Sequence, residues 1–247
     1  GGTVDGRVID RGPLSATVMK DGDVDQGIIA HEYGHGISTR LVGGRDQSLC
    51  LLSLVVEEQM GEGWSDWFAL VMTQELDDTA VQPRGIGTYV LGQDQLGSGI
   101  RPARYSTDFA VNDYTYGDLP NDEITVPHGV GFVWSTILWD MYWAFIDEYG
   151  FDADIYNGTG GNNMAMQLVI DGLKLLPCAQ PGFVTGRDAI LEADDLLYDG
   201  ANECLIWNVF AKRGLGFSAS QGSVNSVTDG SEAFDLPVGC DPLGTND

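Results

Sequence analysis

The chain has 247 residues, enough for one large domain or two small ones, and its 37 acids against 12 bases leave a net charge of −25. So few cations cannot neutralise phosphates, which excludes nucleic acid and anionic membrane surfaces as partners. No apolar run reaches the length of a membrane span, yet 43% hydrophobic residues suffice for a core. The sequence opens on Gly-Gly, with neither a starting Met nor a signal peptide, so it reads as a processed or excised piece of a longer product.

Residues 1–24 are rich in Gly and Asp, with short β-like pieces such as Ala16-Thr17-Val18-Met19. The alternating acids Asp21, Asp23 and Asp25 raise calcium as a second metal, but a full loop and its terminal Glu are missing. Acids placed to start a helix are the simpler purpose. A first helix is predicted over 24–41, capped by Asp23 or Asp25 and stopped by Gly43-Gly44. A second is predicted over 54–73. Residues 79–126 read as a long irregular stretch, and loops of that length usually have work to do. A third helix over 129–149 is apolar almost all round, the pattern of a core helix. Shorter helices are predicted over 163–176, 181–198 and 201–213, followed by a Ser/Gly-rich tail with room for a small hairpin. The four cysteines, Cys50, Cys178, Cys204 and Cys240, show no Cys-x-x-Cys spacing. They point to disulfides in an oxidising compartment, with three pairings open.

The first helix contains His31-Glu32-Tyr33-Gly34-His35, which holds two of the chain's three histidines. Imidazoles four positions apart stack on one helix face and can grip one metal ion, with the intervening Glu placed to work on a water. A catalytic zinc takes three protein ligands and leaves a fourth place to water. Glu58, Glu62 and Asp66 fall at i, i+4 and i+8 of the second predicted helix, beside an apolar stripe. Buried carboxylates are costly unless a cation receives them, so this whole face is expected to point at the metal. Asp66, one turn beyond Glu62, is the expected partner for the second ring nitrogen of His31.

His-Glu-x-x-His followed by Glu-x-x-Ser-Asp resembles the thermolysin-type zinc peptidases with a glutamate ligand. The wider text, HEYGHGIS from His31 and GEGWSD from Gly61, resembles the fungalysin family of secreted metallopeptidases more closely. The likeness continues through 101–116 (RPARYSTDFAVNDYTY), 128–134 (HGVGFVW) and 200–216 (GANECLIWNVFAKRGLG), and covers most of 21–240. It implies zinc on His31, His35 and Glu62, with Glu32 as the general base. It also implies that His128 hydrogen-bonds the developing oxyanion. Arg101 resembles the arginine that grips a substrate carbonyl, an ion-pair arginine being the alternative. In the family-like C-terminal stretch Cys178 and Cys204 are near neighbours, so the resemblance makes them the first expected pair, with Cys50 and Cys240 the other.

The implied fold is mainly α: the helical C-terminal catalytic lobe of a thermolysin-like peptidase (a gluzincin), with the N-terminal β-rich lobe largely missing. Residues 1–22 would be a remnant of that upstream region and 23–247 the zinc-peptidase lobe. The implied function is a secreted zinc endopeptidase acting on proteins or peptides, made as a zymogen whose propeptide and upstream lobe are further partners. The alternative is a zinc-binding lobe that is weak or inactive and serves as an interaction module. Two departures support it: the short N-terminus, and the absence of any Tyr between His35 and Glu62 to bind the oxyanion. Tyr105, Tyr114 or Tyr116 would have to substitute. Asp122 and Glu123 are both within reach in sequence to orient His128.

Overall fold

The computed structural model describes residues 20–52 and 56–240 fully, and the backbone of 2–4 and 7–9. Strands β1 (Gly2–Val4) and β2 (Arg7–Ile9) pair antiparallel. The β-like piece expected at 16–19 lies outside the described residues. The rest is helical: α1 (Gln26–Leu41), α2 (Gly61–Met72), α3 (His128–Tyr149), α4 (Gly161–Leu175), α5 (Phe183–Tyr198) and α6 (Glu203–Lys212). This is the mainly α lobe the sequence implied.

The helix α3 is the hub. Phe132, Val133, Trp134, Ile137, Leu138, Met141 and Phe145 are all without solvent exposure, which a helix apolar on every side requires. Burying each such side chain contributes about 1.5–3 kcal/mol. The remaining helices surround it: α2, α4 and α6 pack on α3, α1 packs on α2, and α5 packs on α4. The Trp67 indole N–H of α2 donates to the Leu138 carbonyl of α3 at 3.2 Å, tying the two together.

Unlike α3, α1 buries a polar stripe: His31, Gly34 and Ser38. It begins where Asp25 accepts from the backbone N–H groups of Gly27 and Ile28, at 3.0 and 3.3 Å. Two glycines then set how closely the helices approach. A Cβ on Gly34 would fall 2.8 Å from the Cα of Ser65, so α1 lies directly on the α2 backbone. A Cβ on Gly131 of α3 would meet the Glu62 Cβ at 2.4 Å and the Gly63 nitrogen at 2.5 Å. These two close crossings bring the N-terminal turns of α2 and α3 and the middle of α1 to one point.

Three expectations need correction. The second helix starts at Gly61, not near 54, and the Gln59 side chain accepts from the Gly61 N–H at 2.5 Å ahead of it. The tail after Gly214 makes two isolated bridges, Leu215 with Ala233 and Ser220 with Ser231, and no named strand among the described residues. The disulfides join Cys50 to Cys178 and Cys204 to Cys240, with Cα atoms 4.9 Å apart in each. Cys178 and Cys204 flank opposite ends of α5, whose 16 residues span about 24 Å, which explains why they do not meet.

The long stretch 79–126 is pinned, not loose. Arg213, fully buried at the end of α6, clasps Asp140 of α3 through Nε at 2.8 Å. Its Nη1 also donates to the carbonyls of Asn112 (2.7 Å) and Tyr114 (3.1 Å). At the other end of the stretch, Arg84 exchanges both backbone bonds with Tyr105, at 2.9 and 2.8 Å.

Candidate metal centre

His31 and His35 project from consecutive turns of α1, with ring centroids 4.8 Å apart and planes at 88°. Glu62, in the first turn of α2, closes the triangle. Its Oε2 lies 3.2 Å from His31 Nε2 and its Oε1 lies 3.6 Å from His35 Nε2. One ligand atom from each of the three residues falls within 4.8 Å of the others, the one such cluster among the described residues. The fit to a metal rests on Glu62: its Oε2 is buried yet makes no well-directed hydrogen bond. The cation already near this oxygen, Arg101 Nη2, stays 3.5 Å away, too far for a directed bond, so a closer cation would relieve the cost of burying it. Two imidazoles and one carboxylate are a donor set that suits zinc with one position left open.

Asp66 stands behind this triangle, fully buried. His31 Nδ1 lies 2.7 Å from its Oδ1, which leaves Nε2 facing Glu62. Burial opposes a carboxylate here, but the hydrogen bonds and charges of Arg101 and His31 outweigh it and hold the Asp66 pKa down at about 2. Burial likewise opposes charge on His31, yet the Asp66 hydrogen bond and the nearby Glu62 and Asp66 carboxylates raise its pKa to about 9. Positive charge is thus strongly favoured at this point, and a bound cation would compete with the imidazole proton for it. Burial works against ionised Glu62 as well, but His31, His128 and His35 lower its pKa.

The other expected residues divide. Glu32 is exposed on α1, one residue from His31. His128 opens α3 with 59% of its side chain exposed, and its Nε2 lies 3.5 Å from Glu62 Oε1. Arg101 occupies the ion-pair position of its two readings. Its side chain is only 5% exposed, and Nε and Nη2 donate to Asp66 at 2.6 and 2.8 Å while Nη2 lies 3.5 Å from Glu62. Glu58 is not on the metal face. It precedes α2 and turns the other way, so Oε1 accepts from the Tyr116 hydroxyl at 3.0 Å and the Phe183 N–H at 3.1 Å. The helical spacing of 58, 62 and 66 fails because the helix has not begun at 58.

Of the candidate tyrosines, Tyr105 is fully buried with its hydroxyl on Asp66 at 2.5 Å, and Tyr116 is held by Glu58. Tyr114 donates to Glu123 at 3.1 Å, so one of the two expected orienting acids is engaged by a tyrosine. The calcium reading finds Asp21 and Asp25 engaged in capping. Asp21 accepts from the Asp23 N–H, and Asp25 accepts from α1 and, at 3.3 Å, from the Val90 N–H. Sequence reasoning missed Tyr105 as a partner of Asp66, and the glycines that set the helix crossings. Gly34 inside HEYGH and Gly131 inside HGVGFVW were the available signals.

The family model described as fungalysin metallopeptidase (M36) matches residues 14–219. Extracellular metalloproteinase 2 of Trichophyton tonsurans is 41% identical over 232 residues, and the protein of the same name from Arthroderma gypseum is 42% identical over 232. Extracellular metalloproteinase 4 of Trichophyton equinum is 40% identical over 235 residues. Each match covers 92% of this chain and 35% of the relative, so the chain spans about a third of the length of the relatives it matches. On the extent of that match, the chain belongs to the fungalysin metallopeptidase family.

Proposed function

We propose that this chain is the catalytic lobe of a secreted zinc endopeptidase that hydrolyses peptide bonds in proteins or peptides. The convergence of His31, His35 and Glu62 carries the reading. Zinc held there would polarise a water and the scissile carbonyl. Glu32 is assigned as the base that takes the proton of the attacking water and passes it to the leaving amine. His128 is assigned to donate to the carbonyl oxygen as it gains negative charge, which its exposed place beside Glu62 supports. Arg101 is assigned to Asp66 and Glu62 rather than to substrate. Residues 1–22 are read as the edge of an upstream β-rich lobe and 23–247 as the zinc lobe. The 35% coverage of the relatives leaves room for that lobe and for a propeptide as partners. Two disulfides fit an oxidising, extracellular compartment, and the relatives are named extracellular. Among the described residues no helix is long and apolar enough to cross a membrane.

A second reading, a zinc-binding lobe without independent activity, is favoured by one observation. The hydroxyls of Tyr105, Tyr114 and Tyr116 are all engaged by carboxylates. Zinc content measured beside casein cleavage separates the two. The first reading expects one equivalent of zinc with hydrolysis, and a Glu32→Gln variant that keeps the zinc while losing about 10²–10⁴-fold in rate. An undiminished rate in that variant rejects Glu32 as the base. One equivalent of zinc without cleavage by the parent chain favours the second reading.

A further inference from the structure

Tyr105 has no exposed atom with which to meet a substrate, yet its hydroxyl ends on the carboxylate behind the metal triangle. A carboxylate offers about four lone-pair sites. Those of Asp66 receive four donors: His31 Nδ1 and Arg101 Nη2 on Oδ1, and Arg101 Nε and the Tyr105 hydroxyl on Oδ2. The guanidinium fork fixes the plane of the carboxylate along one edge. Tyr105, four residues further along the same segment, adds a donor to Oδ2 beside Arg101 Nε, so the carboxylate cannot turn without breaking the phenol bond as well as the fork.

The placement of Tyr105 is itself overdetermined. Its backbone N–H and C=O both pair with Arg84. Arg84 then grips the end of α2, donating to Thr73 Oγ1 at 2.9 Å and to the Thr73 carbonyl at 3.2 Å, and pairs with Asp78 at 2.6 Å. The helix that carries Glu62 and Asp66 therefore also sets the frame that holds the tyrosine. Its ring lies against Phe132, 5.3 Å between centroids, one turn along α3 from His128. Because burial and the Asp66 charge keep the phenol protonated, its role toward Asp66 is always that of donor.

We propose that Tyr105 is a positioning residue of the metal centre: its hydroxyl fixes the Asp66 carboxylate, and that carboxylate fixes the ring orientation and tautomer of His31. The inference rests on the zinc-peptidase reading. Partners beyond the ligands of a metal site change its affinity by about 10- to 100-fold when removed. For Tyr105→Phe, which leaves His31 bonded to an Asp66 held by Arg101 alone, about 10-fold weaker zinc binding is expected.

The test uses the full chain, with zinc affinity from chelator competition, the visible spectrum of the cobalt-substituted form, and melting with and without zinc. Tyr105→Phe is expected to weaken zinc, shift the cobalt bands and shrink the rise in Tm that zinc produces. Tyr142→Phe removes another buried tyrosine hydroxyl, bonded to Gln74, and is expected to lower both melting points equally while zinc affinity stays unchanged. A Tyr105→Phe variant with parental zinc affinity and cobalt spectrum overturns the proposal. Should that variant fail to fold, difluorotyrosine at 105 keeps the hydroxyl while strengthening it as a donor, and unmoved zinc affinity there overturns it equally. If the parent chain takes up no zinc, the peptidase reading falls and this inference with it.

Discussion

Asp66 and Glu58 lie eight residues apart, both almost wholly buried, and their surroundings treat them in opposite ways. Asp66 meets a guanidinium, an imidazole and a phenol, and its pKa is held at about 2. Glu58 meets only neutral donors, the Tyr116 hydroxyl and the Phe183 N–H, and both fall on one oxygen. Its Oε2 is buried without a hydrogen bond. Burial therefore prevails, helped by the nearby Asp229 charge, and raises its pKa to about 8. Desolvation opposes charge at both positions, so what decides the outcome is whether a cation is in contact. The side of α2 facing His31 and His35 is built from charge pairs. The side facing α5 and the tail is built from neutral donors.

The largest test of this contrast removes the charge from Asp66. Asp66→Asn leaves the buried Arg101 with only the more distant Glu62 carboxylate at 3.5 Å, and breaking a buried pair in this way costs about 3–5 kcal/mol in denaturant unfolding. Zinc affinity should fall about 10- to 100-fold in the same protein. A stability loss under about 1 kcal/mol would show that the pair is not buried as described.

Next comes the pH dependence, where the two carboxyls act with opposite sign. Asp66, lowered from its ordinary 3.8, contributes stability that is present above that value and lost as pH falls toward 2. Glu58, raised from 4.5, binds its proton more tightly when folded. Its contribution is full below 4.5 and declines as pH rises toward 8. Glu58→Gln should flatten that neutral limb, which in the parent drops by at least about 1 kcal/mol between pH 5 and 8. Equal slopes in parent and variant would mean that Glu58 is ionised throughout.

Tyr116→Phe gives the smallest effect. Losing one hydrogen bond to Glu58 costs about 1 kcal/mol. It also removes a bond that favours the carboxylate, so the neutral limb of stability should extend to higher pH. Zinc binding should be unaffected, since Tyr116 lies on the other side of the contrast.

The contrast also marks what could be read from the chain. His31 and His35 were legible because helical period alone puts them on one face. Glu62 and Asp66 followed from the demand of a metal for a third ligand and a partner for its histidine. Glu58 was misplaced because its direction depends on where α2 begins, and that is set by Gln59 and by the pairing of the Glu58 N–H with the Val224 carbonyl. Such contacts across 166 residues leave no local periodicity. The helices α1 and α3–α6 were visible within about two residues through caps and apolar faces. The disulfide pairing was not, because the partners meet across 128 and 36 residues and local pattern does not encode that. Arg213 and Tyr105 carried no local signal of their anchoring roles, since their partners come from distant segments.

The most direct measurement is X-ray absorption at the zinc edge on the zinc-loaded chain, repeated for Glu62→Ala. The account predicts two imidazole nitrogens and one carboxylate oxygen at about 2.0–2.2 Å from a single zinc, with weakened binding in the variant. A zinc shell without histidine, or one identical with and without the Glu62 carboxylate, would contradict it.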